Sequence, residues 1–281
     1  MTVRPVARDR RLRRPDRVYP GYVLDLDGTV YLGSEPLPGA VESIAALHAI
    51  GSRFVFLSNN PLERSGTYAA RLRSMGVPVD DGDVVSSIDA LIGYLRERPA
   101  RRILAIAEGL VQDELRAAGH ELTDEPGLAD AVVVSWDRTF TYEKLQRAFT
   151  AVRNGARLIA TNADPYCPTP EGGMPDCGAL LAAIEVSTGV AAEAVVGKPS
   201  AHIARVALER LGLPPGEVVM VGDRLLTDVA MARAAGMVGA LVLTGASSLD
   251  DLAETAAAAE PDFVIANLDQ LIPDQPKRSP A

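Results

Sequence analysis

The strongest constraint on the fold is an alternation. Short runs rich in Val, Ile, Leu and Phe trade places with stretches of amphipathic, helix-like pattern along most of the 281 residues. Strands are predicted over 22–26, 53–58, 103–107, 131–135, 157–161, 194–197, 218–222, 239–243 and 262–266, and helices over 40–50, 62–75, 86–97, 141–154, 178–188, 200–211 and 227–235. Strand, helix, strand in repetition implies an α/β fold, a doubly wound parallel sheet with helices on both faces. Gly51, Gly76, Gly189 and Gly236 stand just past four of the predicted helices, where a left-handed residue ends a helix at least cost. The run around Tyr22–Leu26 is short and apolar and closes on a polar cluster, as expected of a buried central strand.

Open parallel sheets bind ligands beyond the carboxyl ends of their strands, so the polar residues that follow strands are the ones to weigh. Four groups qualify. In Asp25-Leu-Asp-Gly-Thr29, two carboxylates two positions apart share one side of a strand end, and Gly28 lets the chain turn with backbone N–H groups free to meet an anion. One carboxylate can attack phosphorus while its neighbour protonates the leaving oxygen and later deprotonates water; an acidic turn without chemistry is the bland alternative. Ser58, Asn59 and Asn60 end the next strand with donors suited to an anion, or serve merely as helix caps. Lys198 precedes Pro199 at a predicted helix start, either as a point charge for phosphate or as a solvated surface lysine. Asp223 and Asp228 flank a loop after an apolar strand, where carboxylates converging with Asp25 would hold Mg²⁺, although Asp228 could equally complement a helix dipole.

Taken in order, D-x-D-G-T, S-N-N, G-K-P and G-D-x(4)-D resemble the motifs of the haloacid dehalogenase superfamily, with a Rossmann-like core. The resemblance implies Asp25 as nucleophile, Asp27 as acid/base, Ser58, Asn59 and Lys198 on phosphate, and Asp25, the Asp27 carbonyl and Asp223 on Mg²⁺ with Asp228 in support. Dehalogenating members lack the second aspartate, so Asp27 favours phosphoryl chemistry. The interval from Asn60 to Lys198 is far longer than a crossover needs, and an insertion within it, with the three predicted strands 103–107, 131–135 and 157–161, is what an α/β cap of the C2 type would be. The stretches Asp25–Gly33, Ala160–Pro165 and Gly197–Ser200 are similar to the NagD-like, p-nitrophenylphosphatase-like branch. Against that branch's pattern, Ser135 replaces a usual Gly, Pro175-Asp-Cys-Gly178 replaces Pro-Gly-x-Gly, and Tyr166-Cys167 is unusual. The expected organisation is a basic, flexible arm over 1–20, a core over 21–83 and 178–270, a cap over 84–177 and a flexible tail over 271–281. Asn162, Asp164, Trp136 and Asp137 are the cap residues nominated for substrate, with packing as the alternative for Trp136.

Composition narrows the partners. A net charge of −9 and a pI near 4.9 argue against nucleic acid as the main partner, yet one basic group in a pocket can still hold a small phosphorylated metabolite. Residues 1–20 carry seven arginines, read as a solvated terminus or an interaction tail. No apolar segment suits a secretory signal or a membrane span, and Cys167 and Cys177 suit neither a disulfide framework nor a zinc site. His48, His120 and His202 are scattered and read as surface or helix residues. Cytoplasm is the default compartment, and the resemblance allows a homodimer through the cap. The reading is a Mg²⁺-dependent phosphatase for small phosphate monoesters of the sugar phosphate, glycerol phosphate, phosphoglycolate or nucleoside monophosphate class. A phosphotransferase using the same aspartyl-phosphate and a non-catalytic binding or regulatory protein are the alternatives.

Overall fold

The computed structural model describes residues 12–167 and 173–273. The chain divides into two compact units: one runs to Leu57, takes in Ala70–Asp83 and resumes at Ala207, and the other is Ser58–Ala69 with Val84–Val206. The first is organised on parallel strands in the order Phe263–Ile265, Val238–Val242, Val218–Gly222, Gly21–Asp25, Arg53–Ser58. Gly21–Asp25 is buried along its whole length and pairs in parallel with Val218–Gly222 on one side and Arg53–Ser58 on the other. Tyr22 stacks on Phe54 with ring centroids 5.5 Å apart, so apolar side chains fix the register from within. That register pairs Leu24 with Val221 and Asp25 with Leu57, which brings Asp25 level with the end of the Val218–Gly222 strand and hence to Asp223.

The second unit carries a five-stranded, all-parallel sheet of order Ala194–Val195, Arg157–Ala160, Ala131–Val134, Arg102–Ile106, Glu121–Leu122. Its helix Ser87–Glu97 begins with a capping box: Ser86 Oγ accepts from the Asp89 N–H, and the Asp89 carboxylate accepts from the Ser86 N–H at 2.8 Å. Helices Tyr142–Arg153 and Cys177–Thr188 bury Ala148, Ala151, Cys177, Leu181 and Ile184 against Leu104, Ile106, Val132, Val134 and Leu158. Each large side chain so buried contributes about 1.5–3 kcal/mol.

The cap therefore differs from its expected extent. A boundary at 177/178 leaves all but the first residue of the helix Cys177–Thr188, and the strand Ala194–Val195, to the core, yet the helix covers the second unit's sheet and the strand pairs with Arg157–Ala160. Two strands, Glu121–Leu122 and Ala194–Val195, join the three expected ones. The flexible arm expected over 1–20 is contradicted where the structure describes it. Residues 1–11 lie outside the described residues, whereas Arg13 exchanges backbone hydrogen bonds of 2.9 Å with Val264 and Tyr19 is buried. Of the expected tail, Leu271 is buried and 274–281 lie outside the described residues. Among the described residues no helix is long and apolar enough to cross a membrane.

Candidate active site

Asp25, Asp223 and Asp228 converge at the carboxyl edge of the first unit's sheet, each offering an oxygen within 4.8 Å of the others, and all three are buried. Backbone chemistry holds them. Ala246 N–H donates to Asp223 Oδ2 at 2.6 Å, and Arg224 N–H donates to Asp228 Oδ2 at 3.1 Å. The Asp228 carboxylate lies so close over Gly222 that a methyl group there would overlap it, and Gly28 and Gly245 stand in the same relation to Asp223. Three buried carboxylates clustered like this repel one another unless a cation sits among them, and hard oxygen donors in this number suit Mg²⁺ or Ca²⁺ rather than a soft metal. The residues present therefore fit a divalent cation.

Asp27 is exposed and its carboxylate is not among the clustered three, which leaves it clear of the cation ligands. Gly28 departs from expectation. Its N–H donates to Tyr31 O at 2.8 Å, and the N–H groups of Thr29 and Val30 donate to Leu26 O at 3.2 and 2.9 Å. The turn thus spends these donors on itself instead of offering them to an anion; Gly28 is required by its φ of +81° and its approach to Asp223. The neighbouring loop 244–247 escaped sequence reasoning. Thr244 Oγ1 donates to Gly28 O at 2.6 Å, and Ser247 N–H donates to Asp223 O at 3.0 Å. Its one readable signal was its position after a buried strand at the same edge of the sheet.

In the second unit the other predicted residues form a knot. Asn59 Oδ1 accepts from the Lys198 N–H at 2.8 Å, while its Nδ2 donates to Asp164 Oδ2 at 2.8 Å and to Lys198 O at 3.2 Å. The Asn59 carbonyl accepts from Ser87 Oγ at 2.8 Å and from Asn162 Nδ2 at 3.2 Å. Asn162 is fully buried, with its Oδ1 accepting from the Asp164 N–H at 2.9 Å. The Asn59 side chain is thus occupied by Lys198 and Asp164, and one expectation is corrected: Asn162 is a structural brace rather than a substrate contact. Asn60 Oδ1 caps the following turn by accepting from the Leu62 N–H at 2.9 Å, and Asn60 N–H donates to Ser58 Oγ at 3.1 Å. Ser58 and Lys198 are both buried. The helix after Lys198 starts at Ala201, two residues later than Pro199 suggested.

Asp137 and Trp136 do not behave as substrate residues. Asp137 accepts from Thr139 N–H at 2.9 Å and from Thr139 Oγ1 at 2.6 Å, and pairs with Lys144 at 2.5 Å, so its carboxylate is consumed by its own turn. Trp136 is buried, with Arg138 lying 5.9 Å from the ring and held by Glu108 at 2.6 Å. Two of the departures, Ser135 and the Pro175–Gly178 segment, turn out to be connected. Thr161 Oγ1 donates to Ser135 Oγ at 3.0 Å and approaches Cys177 Sγ at 3.6 Å, while Cys177 is N-capped by Asp176. Burial pushes the Cys177 thiol up to about 12.

Family models for a haloacid dehalogenase-like hydrolase and for a HAD-hydrolase-like region match residues 22–121 and 195–271. The chain belongs to the haloacid dehalogenase-like hydrolases, in their NagD-like, p-nitrophenylphosphatase-like branch, and is an enzyme of the phosphatase class within that family. A Sugar-phosphatase AraL from Bacillus subtilis is 38% identical over 81% of this chain and 84% of its own. A 4-nitrophenylphosphatase from Thermotoga maritima is 39% identical with a TM-score of 0.83, covering 90% of this chain and 96% of that one. A glycerol phosphate phosphatase from Mycobacterium tuberculosis, crystallised with magnesium, is 31% identical with a TM-score of 0.83, covering 94% and 79%.

Proposed function

We propose that this chain is a Mg²⁺-dependent phosphatase of sugar or polyol phosphates that works through an aspartyl-phosphate on Asp25. The observation that carries the proposal is the convergence of the buried Asp25, Asp223 and Asp228 carboxylates beside the exposed Asp27. When bound there, Mg²⁺ would supply charge neutralisation for the phosphoryl oxygens. The Asp25 carboxylate attacks phosphorus, the P–O bond to the alcohol breaks, and the Asp27 carboxyl gives its proton to the departing alkoxide. Water then attacks the aspartyl-phosphate, Asp27 takes its proton, and inorganic phosphate leaves with Asp25 restored. Lys198 and Ser58 serve the phosphoryl group as counter-charge and hydrogen-bond donor. The substrate class draws on the relatives named for sugar and glycerol phosphates.

A phosphate-release panel of sugar, polyol, carboxylic-acid and nucleoside phosphates tests this directly. Turnover should need Mg²⁺, stop with EDTA and vanish in Asp25→Asn, with sugar or polyol phosphates turned over fastest. An active Asp25→Asn enzyme would remove the nucleophile assignment.

A further inference from the structure

The amide of Asn59 has two ends of nearly equal shape, but its surroundings allow one orientation only. Its oxygen faces the Lys198 N–H at 2.8 Å, and its NH₂ faces Lys198 O at 3.2 Å and Asp164 Oδ2 at 2.8 Å. Turned over, the amide would set donor against donor and oxygen against a carboxylate. The Asp164 charge therefore fixes the polarity of Asn59, and Asn59 grips both backbone groups of Lys198.

Asp164 is itself held. Asn162 Oδ1 receives its N–H at 2.9 Å, and its carbonyl receives the Gly178 N–H at 2.9 Å. Gly197, just before the lysine, donates its N–H to Thr161 O at 2.8 Å and has no room for a Cβ beside Thr161 O and Asn59 Oδ1. Lys198 is buried at 4% exposure, and the Asn59 amide bonds both its N–H and its carbonyl, which fixes the point from which its side chain starts. The loop 161–164 thus sets the lysine from behind. The segment just beyond it, Tyr166–Cys167, pairs with Met174–Pro175 as a hairpin whose root is closed by Asp176 N–H donating to Pro165 O at 3.1 Å.

We propose that Asp164 is a positioning residue for Lys198, acting through the Asn59 side chain instead of touching substrate. The inference rests on the reading of Lys198 as the counter-charge of the phosphoryl group. A loss at Asp164 should then appear in kcat and in the affinity for inorganic phosphate, with the KM contribution of the alcohol portion of the substrate little changed.

The test compares Asp164→Ala, Asp164→Asn, Asn59→Asp and the exchanged pair Asn59→Asp/Asp164→Asn in the full-length enzyme with Mg²⁺. Inhibition by inorganic phosphate is read alongside kcat, KM and Tm. Asp164→Ala should lower kcat about tenfold or more and weaken phosphate inhibition by a similar factor, the loss of one charge-assisted hydrogen bond. Asp164→Asn, which still offers an acceptor oxygen, should recover most of that loss. Asn59→Asp puts two carboxylates face to face and should be the most damaging single change, and the exchanged pair should recover part of it by restoring a donor opposite an acceptor. Asp164→Ala with native kcat and phosphate inhibition per folded molecule overturns the proposal. Should Asp164→Ala fail to fold, an exchanged pair no better than Asn59→Asp overturns it equally. A native enzyme that neither releases nor binds phosphate fails the phosphatase reading itself, a result distinct from unaffected variants of an active enzyme.

Discussion

At Gly245 a methyl group would overlap the Asp223 carboxylate, and at Gly28, where φ is +81°, it would arrive 2.6 Å from Asp223 Oδ2. Both glycines thereby shape the cation cluster without contributing an atom to it. Gly245→Ala should push Asp223 off its bond with Ala246 N–H and raise the Mg²⁺ concentration for half-maximal activity about 10–100-fold, the range for a supporting contact of a metal ligand. Its Tm in EDTA should stay near the native value; an unchanged Mg²⁺ titration would count against this account. Thiol chemistry gives a second residue-level check. Cys177 is fully buried with its thiol pushed up to about 12, mainly by burial, whereas Cys167 is partly exposed. Alkylation should therefore reach one thiol in the native protein and two in denaturant, as read by mass spectrometry. The carboxylates of the cluster were legible from sequence because the chemistry demands that residue type at a strand end. Gly28, Asn162 and Asp137 were misread because a sequence reports which polar groups exist, not where their hydrogen bonds go.

Strands and helices were legible wherever burial made the pattern continuous. Arg53–Ser58 and Val218–Gly222 match their predicted ranges, and Gly51 and Gly76 end their helices at φ of +94° and +90°. Gly109–Ala117 and Leu249–Glu254 were missed, being short helices with mixed polarity, as were strands of two or three residues such as Glu121–Leu122. The cap boundary was misplaced for a different reason: amphipathicity says that Cys177–Thr188 buries a face, but not which sheet receives it. Ser135 and Cys177, read separately as departures, are linked through Thr161 and so belong to one buried seam under that helix. Ile184, fully buried in that seam's helix, tests the assignment. Ile184→Ala should cost about 2–4 kcal/mol, measured by urea unfolding followed at the single tryptophan, Trp136, which lies in the same unit. The Mg²⁺ titration of its activity should keep its native midpoint.

On the scale of the whole molecule, the carboxylates and the apolar seam lie in different units, and cation binding should stabilise only the first. Without a cation, three buried like charges within 4.8 Å work against the folded state, and the unfolded chain relieves that repulsion by separating them. A cation that binds the native cluster but not the unfolded chain stabilises by mass action, about 2.7 kcal/mol at a hundredfold excess over its dissociation constant. For units of this size that corresponds to a rise in Tm of about 5–10 °C. Calorimetry in EDTA and in saturating Mg²⁺ should display the rise in the native protein and lose it in Asp223→Asn. Ile184→Ala supplies the converse control. It should lower the melting of the second unit in both buffers, and if the two units melt in separate transitions, the one it leaves in place is the one that moves with Mg²⁺. A full Mg²⁺ shift in Asp223→Asn would mean that the cation binds elsewhere, and with it the chemistry assigned to Asp25 would lose its support.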